Sequence, residues 1–121
     1  MRVIGGSLKG RRLSAIKTEN NMTSFRPTTD RIKESLFNIL FGGKFDVKIE
    51  EARILDIFAG SGALGLEAIS RGAKSCTFIE KNKACIRLLD TNLKICNKKN
   101  QTNIKTFDAT EFPLNLDQPY D

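Results

Sequence analysis

ARILDIFAGSGALG, residues 52–65, contains an apolar run that ends beside a carboxylate, Asp56, and then breaks into Gly60, Gly62 and Gly65. Six residues from Arg53 to Phe58, apolar but for Arg53 and Asp56, predict a strand buried on both faces, as in a parallel sheet. Ala63 to Arg71 then predicts a helix closed by Gly72. Working outward, Ser75–Ile79 reads as a second strand, and Asn82 as the cap of a helix reaching about Asn97. The inner stripe of that helix is Cys85, Leu88, Leu89, Leu93 and Cys96. Ile104–Phe107 reads as a third strand ending at Asp108. Strand, helix, strand, helix, strand is one half of a doubly wound α/β sheet. Right-handed crossovers fix its order as 3-2-1, which leaves the first strand in the middle of a larger sheet. Tyr120-Asp121 falls where a fourth strand would open, so the chain is expected to be truncated.

Upstream of this unit the pattern differs. RVIGGSLKGRRL, residues 2–13, sets two short runs around Gly5-Gly6-Ser7 and predicts a small basic hairpin. Residues 14–25 are polar and loop-like. Arg26-Pro27-Thr28-Thr29-Asp30 opens a helix whose apolar positions Ile32, Leu36, Phe37, Ile39 and Leu40 recur at helical spacing until Gly42-Gly43 stop it. Residues 44–51 form a charged connector. The expected organisation is a basic arm over 1–25 and the first part of a cofactor-binding domain over 26–121.

Charge separates the same two regions. Residues 1–33 carry eight basic and two acidic side chains, whereas residues 34–121 carry twelve of each, so the whole net charge of +6 lies in the first quarter. Such an asymmetry suggests an arm that meets a polyanion, with Arg2, Lys9, Arg11 and Arg12 as phosphate contacts. With no histidine, three cysteines (Cys76, Cys85 and Cys96) and no CxxC pair, metal and Ser-His chemistry have no ligand set, and the thiols are expected to be buried and reduced. No apolar run is long enough to span a membrane, and MRVIGGSLKGRR lacks the apolar core of a leader, so a cytoplasmic location is expected.

In open α/β sheets the ligand sits at the carboxyl ends of the strands. Gly60-Ser61-Gly62-Ala63-Leu64-Gly65 satisfies GxGxxG, and Glu80 follows Gly60 by twenty positions, which taken alone is a dinucleotide fingerprint. Asp56 argues against a pyrophosphate there, because its carboxylate would repel one. A ligand carrying an ammonium and a sulfonium would be attracted instead. Glu80 can accept from two ribose hydroxyls and Asp108 from an adenine amine, while Ala109 presents a backbone N–H to a ring nitrogen. The set favours S-adenosylmethionine over a nicotinamide or flavin dinucleotide, with contacts through Asp56, Phe58, Gly60, Ser61, Gly62, Glu80, Asp108 and Ala109. Arg26 and Thr28 are expected to close over its methionine end.

RVIGGSLKGRRL, RPTTDRIKESLFNIL, RILDIFAGSGALGLEAISRGA and FIEKN together resemble consecutive blocks of the RsmD-type methyltransferases. That resemblance implies a Rossmann-like class I fold, S-adenosylmethionine as methyl donor, and methylation of the exocyclic N2 of a guanine in 16S ribosomal RNA, free or in the small subunit. It also implies an Asp- or Asn-Pro-Pro-Tyr motif after a fourth strand. Asp117-Gln118-Pro119-Tyr120 lies nine residues past Asp108 and has Gln118 in place of the first proline, so it does not supply that motif. No residue of this chain is therefore assigned the role of holding the guanine amine, and the chain alone is expected to be inactive. A non-catalytic RNA-binding module is the alternative.

Overall fold

The computed structural model describes residues 1–15, 29–45, 47–111 and 119–121. Its centre is a parallel sheet of β1 (Arg53–Ile57), β2 (Ser75–Ile79) and β3 (Thr102–Lys105), in that spatial order. This is the 3-2-1 arrangement expected from the sequence. The third strand begins two residues earlier than Ile104 and stops at Lys105, because Thr102 pairs with Cys76 and Ile79 pairs with Lys105. α2 (Ala63–Ser70) and α3 (Lys83–Cys96) are the two crossovers. Asn82 caps α3 as predicted, its Oδ1 accepting from the N–H groups of Ala84 and Cys85. Asn97, left-handed at φ 53°, closes it.

Register decides which side chains meet the helices. Ile54 is level with Cys76 and Asp56 with Phe78, so these four share a face. Cys76 and Phe78 are buried there against Leu66, Leu89, Leu93 and Cys96, and Ile54 and Ile104 pack on the same cluster. α2 can lie this close only because position 65 is glycine: a Cβ at Gly65 would overlap the Phe78 ring and Cys76 Sγ. Asp56 is thereby placed under the first turn of α2. On the opposite face β1 is less covered than its apolar sequence suggested; Ile57 is 46% exposed. Tyr120 Oη donates to Thr77 Oγ1 on that face at 3.0 Å. The three cysteines are buried and free.

The arm is a hairpin. Val3 N–H donates to Arg11 O, Gly10 N–H to Val3 O and Leu13 N–H to Met1 O, around a 3-10 turn at Gly6–Leu8. Val3 and Leu13 are buried in the main core. The hairpin is fixed to α2 by Glu67, which is fully buried and accepts from Ile4 N–H (2.8 Å) and Gly5 N–H (3.0 Å).

α1 (Asp30–Phe41) has its predicted bounds and a Thr29 cap whose Oγ1 accepts from Ile32 N–H. Its buried face differs from the expectation. Lys33 and Phe37 are the buried residues, with Leu40 packed beside them, while Ile32, Leu36 and Ile39 are exposed. The reason is electrostatic: Lys33, fully buried, donates to Arg2 O and lies 3.7 Å from Glu67, whose other oxygen pairs with Arg71 at 3.1 Å. A buried carboxylate of this kind demands cations, and that demand sets the rotation of α1. Burial pushes the Lys33 ammonium below its usual pKa, although Glu67 and Asp30 oppose the shift. Arg71 also stacks on Phe37, 4.9 Å from the ring centroid.

Candidate cofactor site and nucleic-acid arm

The turn from β1 into α2 is built from backbone that glycine adopts readily. Gly60 and Gly62 have φ of 56° and 81°, and a Cβ on Gly62 would overlap Leu89 Cδ1. Phe58, just past the strand's end, also lies at positive φ, 60°, and is 70% exposed. A bulky residue held in that region stores roughly 1–3 kcal/mol, a cost often found at ligand sites.

Two carboxylates, Asp56 and Glu80, contact this turn, a third, Asp108, lies past β3, and each already has partners. Asp56 Oδ2 accepts from Gly65 N–H at 3.0 Å. Burial raises its pKa to about 6; the Gly65 bond opposes the rise and the Glu80 charge adds to it. Burial disfavours the charged form of this carboxylate, and a neighbouring ammonium group would favour it. Glu80 is the organiser of the turn: Oε2 accepts from Gly60 N–H at 2.8 Å, and Oε1 from Lys81 and Asn82 N–H, each at 3.0 Å. Since a carboxylate has about four acceptor positions, Glu80 keeps capacity for a hydroxyl donor. Asp108 stands at the surface, its pKa drawn down to about 2 by the Thr110 hydroxyl, then by Thr110 N–H and Lys81. Lys81 Nζ lies 3.3 Å from its Oδ2, so Asp108 is linked to the residue that follows Glu80. Ala109 is half-buried and opens a 3-10 turn.

Ser61 lies between the two left-handed glycines and is buried. Its hydroxyl donates to Met1 Sδ at 3.6 Å, and its carbonyl accepts from Asn92 Nδ2 at 3.0 Å. Arg26 and Thr28 lie outside the described residues. The structure thus brings Asp56, Phe58, Gly60, Ser61, Gly62 and Glu80 to one turn, with Asp108 and Ala109 reached through Lys81.

On the hairpin, Arg2, Lys9, Arg11 and Arg12 are all exposed. Arg2 and Arg12 form the antiparallel bridge of the hairpin. Two of the four are also engaged within the molecule: Arg2 Nε is 3.1 Å from Asp30 Oδ2, and Arg11 donates to Ile95 O in the last turn of α3 at 3.0 Å. Among the described residues no group of three or more His, Cys, Asp or Glu side chains is placed to hold a metal, and no helix is long and apolar enough to cross a membrane.

Sequence reasoning passed over Glu67, Lys33 and Asn92. Glu67 had a readable signal, a lone charge in the otherwise apolar α2. Asn92 had another, since it falls within the buried stripe of α3 beside Leu89 and Leu93. Lys33 had none, because Arg31, Lys33 and Glu34 look alike as surface charges.

Residues 1–120 match the model of one protein family, described as conserved hypothetical protein 95. The chain belongs to this family. The RsmD-type resemblance is borne out by the family's named members: the chain is 40% identical over 119 residues to ribosomal RNA small subunit methyltransferase D of Buchnera aphidicola, covering 98% of this chain and 58% of that protein. It is 50% identical over 94 residues to the Bacillus subtilis protein named "Putative rRNA methyltransferase YlbH", covering 78% and 46% respectively. The solved Escherichia coli structure named "Putative methyltransferase yhhF" superposes with a TM-score of 0.70 at 39% identity, over 90% of this chain and 53% of that one. The chain therefore spans about half the length of the relatives it matches. Its three strands are the N-terminal part of a Rossmann-like class I methyltransferase sheet.

Proposed function

We propose that this chain supplies the S-adenosylmethionine site and an RNA-binding arm to an enzyme that methylates the exocyclic N2 of a guanine in 16S ribosomal RNA, free or in the small subunit, in the cytoplasm. One observation carries the reading: Asp56 and Glu80, at the carboxyl ends of β1 and β2, both hold backbone N–H groups of a glycine turn that a side chain at Gly62 or Gly65 would obstruct, and Asp108 follows the third strand. The family's named relatives support the substrate class.

When bound, the cofactor supplies an electrophilic methyl group on a sulfonium, which an amine nitrogen attacks in line. The residues of this chain bind and orient. Asp56 meets the ammonium, Glu80 a ribose hydroxyl, Asp108 and the Ala109 N–H the adenine, while Gly60, Ser61 and Gly62 offer backbone and Phe58 an apolar wall. Arg26 and Thr28 close over the methionine end. Because an exocyclic amine is a weak nucleophile, alignment and electrostatics carry the rate. In this reading residues 1–25 are the arm, residues 26–121 begin the cofactor domain, and the group that holds the guanine amine lies on a segment other than these.

In the full-length protein, tritium from methyl-labelled S-adenosylmethionine should enter 16S RNA or small subunits and, after nuclease digestion, be found in N2-methylguanosine. Asp108→Ala should raise the cofactor KM by about tenfold with little change in kcat, as expected for one lost hydrogen-bond acceptor. Label in another nucleoside would refute the N2-guanine assignment. RNA binding without any methyl transfer or cofactor binding would favour the non-catalytic module.

A further inference from the structure

The hairpin and the glycine turn are distant in sequence but joined through a single buried amide. Asn92, on α3, has no exposed surface, and each of its polar atoms is used. Oδ1 accepts from Ser14 N–H at 2.7 Å; Nδ2 donates to Ser14 O at 3.1 Å and to Ser61 O at 3.0 Å. One end of this bridge is the residue that follows Leu13, at the open end of the hairpin. The other is the central residue of the cofactor turn.

A second connection closes the circuit. Met1, at the start of the hairpin's first strand, accepts a contact from the Ser61 hydroxyl through Sδ, and its carbonyl accepts from Leu13 N–H. Ser61 is therefore held by its side chain from one hairpin strand and by its carbonyl, through Asn92, from the other. The same hairpin carries the four exposed cations, and Arg11 reaches the last turn of α3, the helix that bears Asn92. Glu67 fixes the hairpin's middle to the helix that begins at the turn. The hairpin and the Gly60–Gly62 turn are thus joined through Ser61 by two direct chains of contacts.

We propose that Asn92 is a positioning residue that couples the basic hairpin to the glycine turn, so that RNA held on the hairpin and cofactor held at the turn strengthen each other's binding. This rests on the function proposed above. Phosphates gathered by Arg2, Lys9, Arg11 and Arg12 stiffen the hairpin; Asn92 and Met1 pass that order to Ser61, and a turn already ordered loses less freedom when the cofactor arrives. Linkage then requires the cofactor to tighten RNA by the same factor. Asn92→Asp is the informative change, because it preserves size and the acceptor for Ser14 N–H but replaces both Nδ2 donor bonds by a carboxylate facing two carbonyl oxygens.

The test is a titration of the full-length protein with S-adenosylhomocysteine, with and without a saturating 20-nucleotide RNA hairpin, alongside amide hydrogen exchange at Gly60–Gly62. The wild type should bind the cofactor product about tenfold more tightly with RNA present, within the usual range of such couplings. RNA alone should slow exchange at Gly60–Gly62. In Asn92→Asp the ratio should collapse to within twofold, and those amides should exchange faster while the β2 amides keep their protection. A wild-type ratio of one overturns the coupling, and this arm needs no variant to fold. A ratio preserved in Asn92→Asp, or unchanged turn exchange there, removes Asn92 from the role. Failure of the folded wild type to bind S-adenosylhomocysteine at all would refute the cofactor reading instead, while the exchange comparison still decides whether Asn92 positions the turn.

Discussion

Asp56 bears in opposite directions on stability and on the proposed binding of an ammonium group. Its carboxyl group accepts from Gly65 N–H, yet burial raises its pKa to about 6 from an ordinary value of 3.8. Between these values the folded protein binds more protons than the unfolded chain, so stability falls as pH rises through the interval and stays low above pH 6. The shift corresponds to about 3 kcal/mol at most. An ammonium ligand reverses the sign by favouring the ionised form. We therefore expect Asp56→Asn to raise the melting temperature at pH 7 and flatten its dependence between pH 4 and 6, since the amide oxygen can still accept from Gly65. The same variant should bind S-adenosylmethionine at least tenfold more weakly at pH 7, and wild-type affinity should increase from pH 5 to 7. A variant with lower stability and unchanged affinity, by thermal melts and calorimetry, would make Asp56 a structural residue alone.

At the scale of elements, the hairpin is where predicted phosphate contacts and internal contacts compete. Arg2 and Arg11 are engaged with Asp30 and Ile95 O, so substituting them disturbs the fold as well as any ligand. Lys9 and Arg12 are the cleaner pair. If both meet phosphates, neutralising them should flatten the slope of log K against log salt for RNA binding by roughly 1.4 to 1.8. Filter binding across a salt series measures this; an unchanged slope would make the hairpin an ordinary charged surface. Elements themselves were legible wherever one physical signal dominated. An apolar run marked β1, Asn82 marked the start of α3, and the glycines marked the turn. The rotation of α1 was not legible, because burial of Lys33 is decided by Glu67, thirty-four residues away, and no periodicity in residues 30–41 reports that partner. The strand β3 was displaced for a similar reason: pairing with Cys76 recruits Thr102 and Asn103, which their own side chains do not announce.

Across the whole molecule, the strands end beside the glycine turn while the hairpin, α1 and α2 are locked together by buried Lys33 and Glu67 and half-buried Arg71. Of the candidate site, the positions were readable and the partnerships were not. Asp56, Glu80 and Asp108 could be picked out as residues at strand ends, but that Glu80 holds Gly60 N–H, or that Asn92 holds Ser61, depends on contacts made only after α3 folds back. At the far edge of β1, Asp121 N–H donates to Arg53 O and Arg53 N–H to Asp121 Oδ2, each at 2.8 Å, which sets the last residue of the chain beside the first of that strand. The proposed function requires the glycine turn held by Asp56 and Glu80 to bind a sulfonium nucleoside and not a dinucleotide. The direct measurement is an amide-resolved NMR titration of the full-length protein with S-adenosylhomocysteine and, separately, with NAD. Saturable shifts at Gly60, Gly62, Glu80 and Ala109 with the first ligand and none with the second are predicted; shifts at those amides with NAD alone would contradict the account.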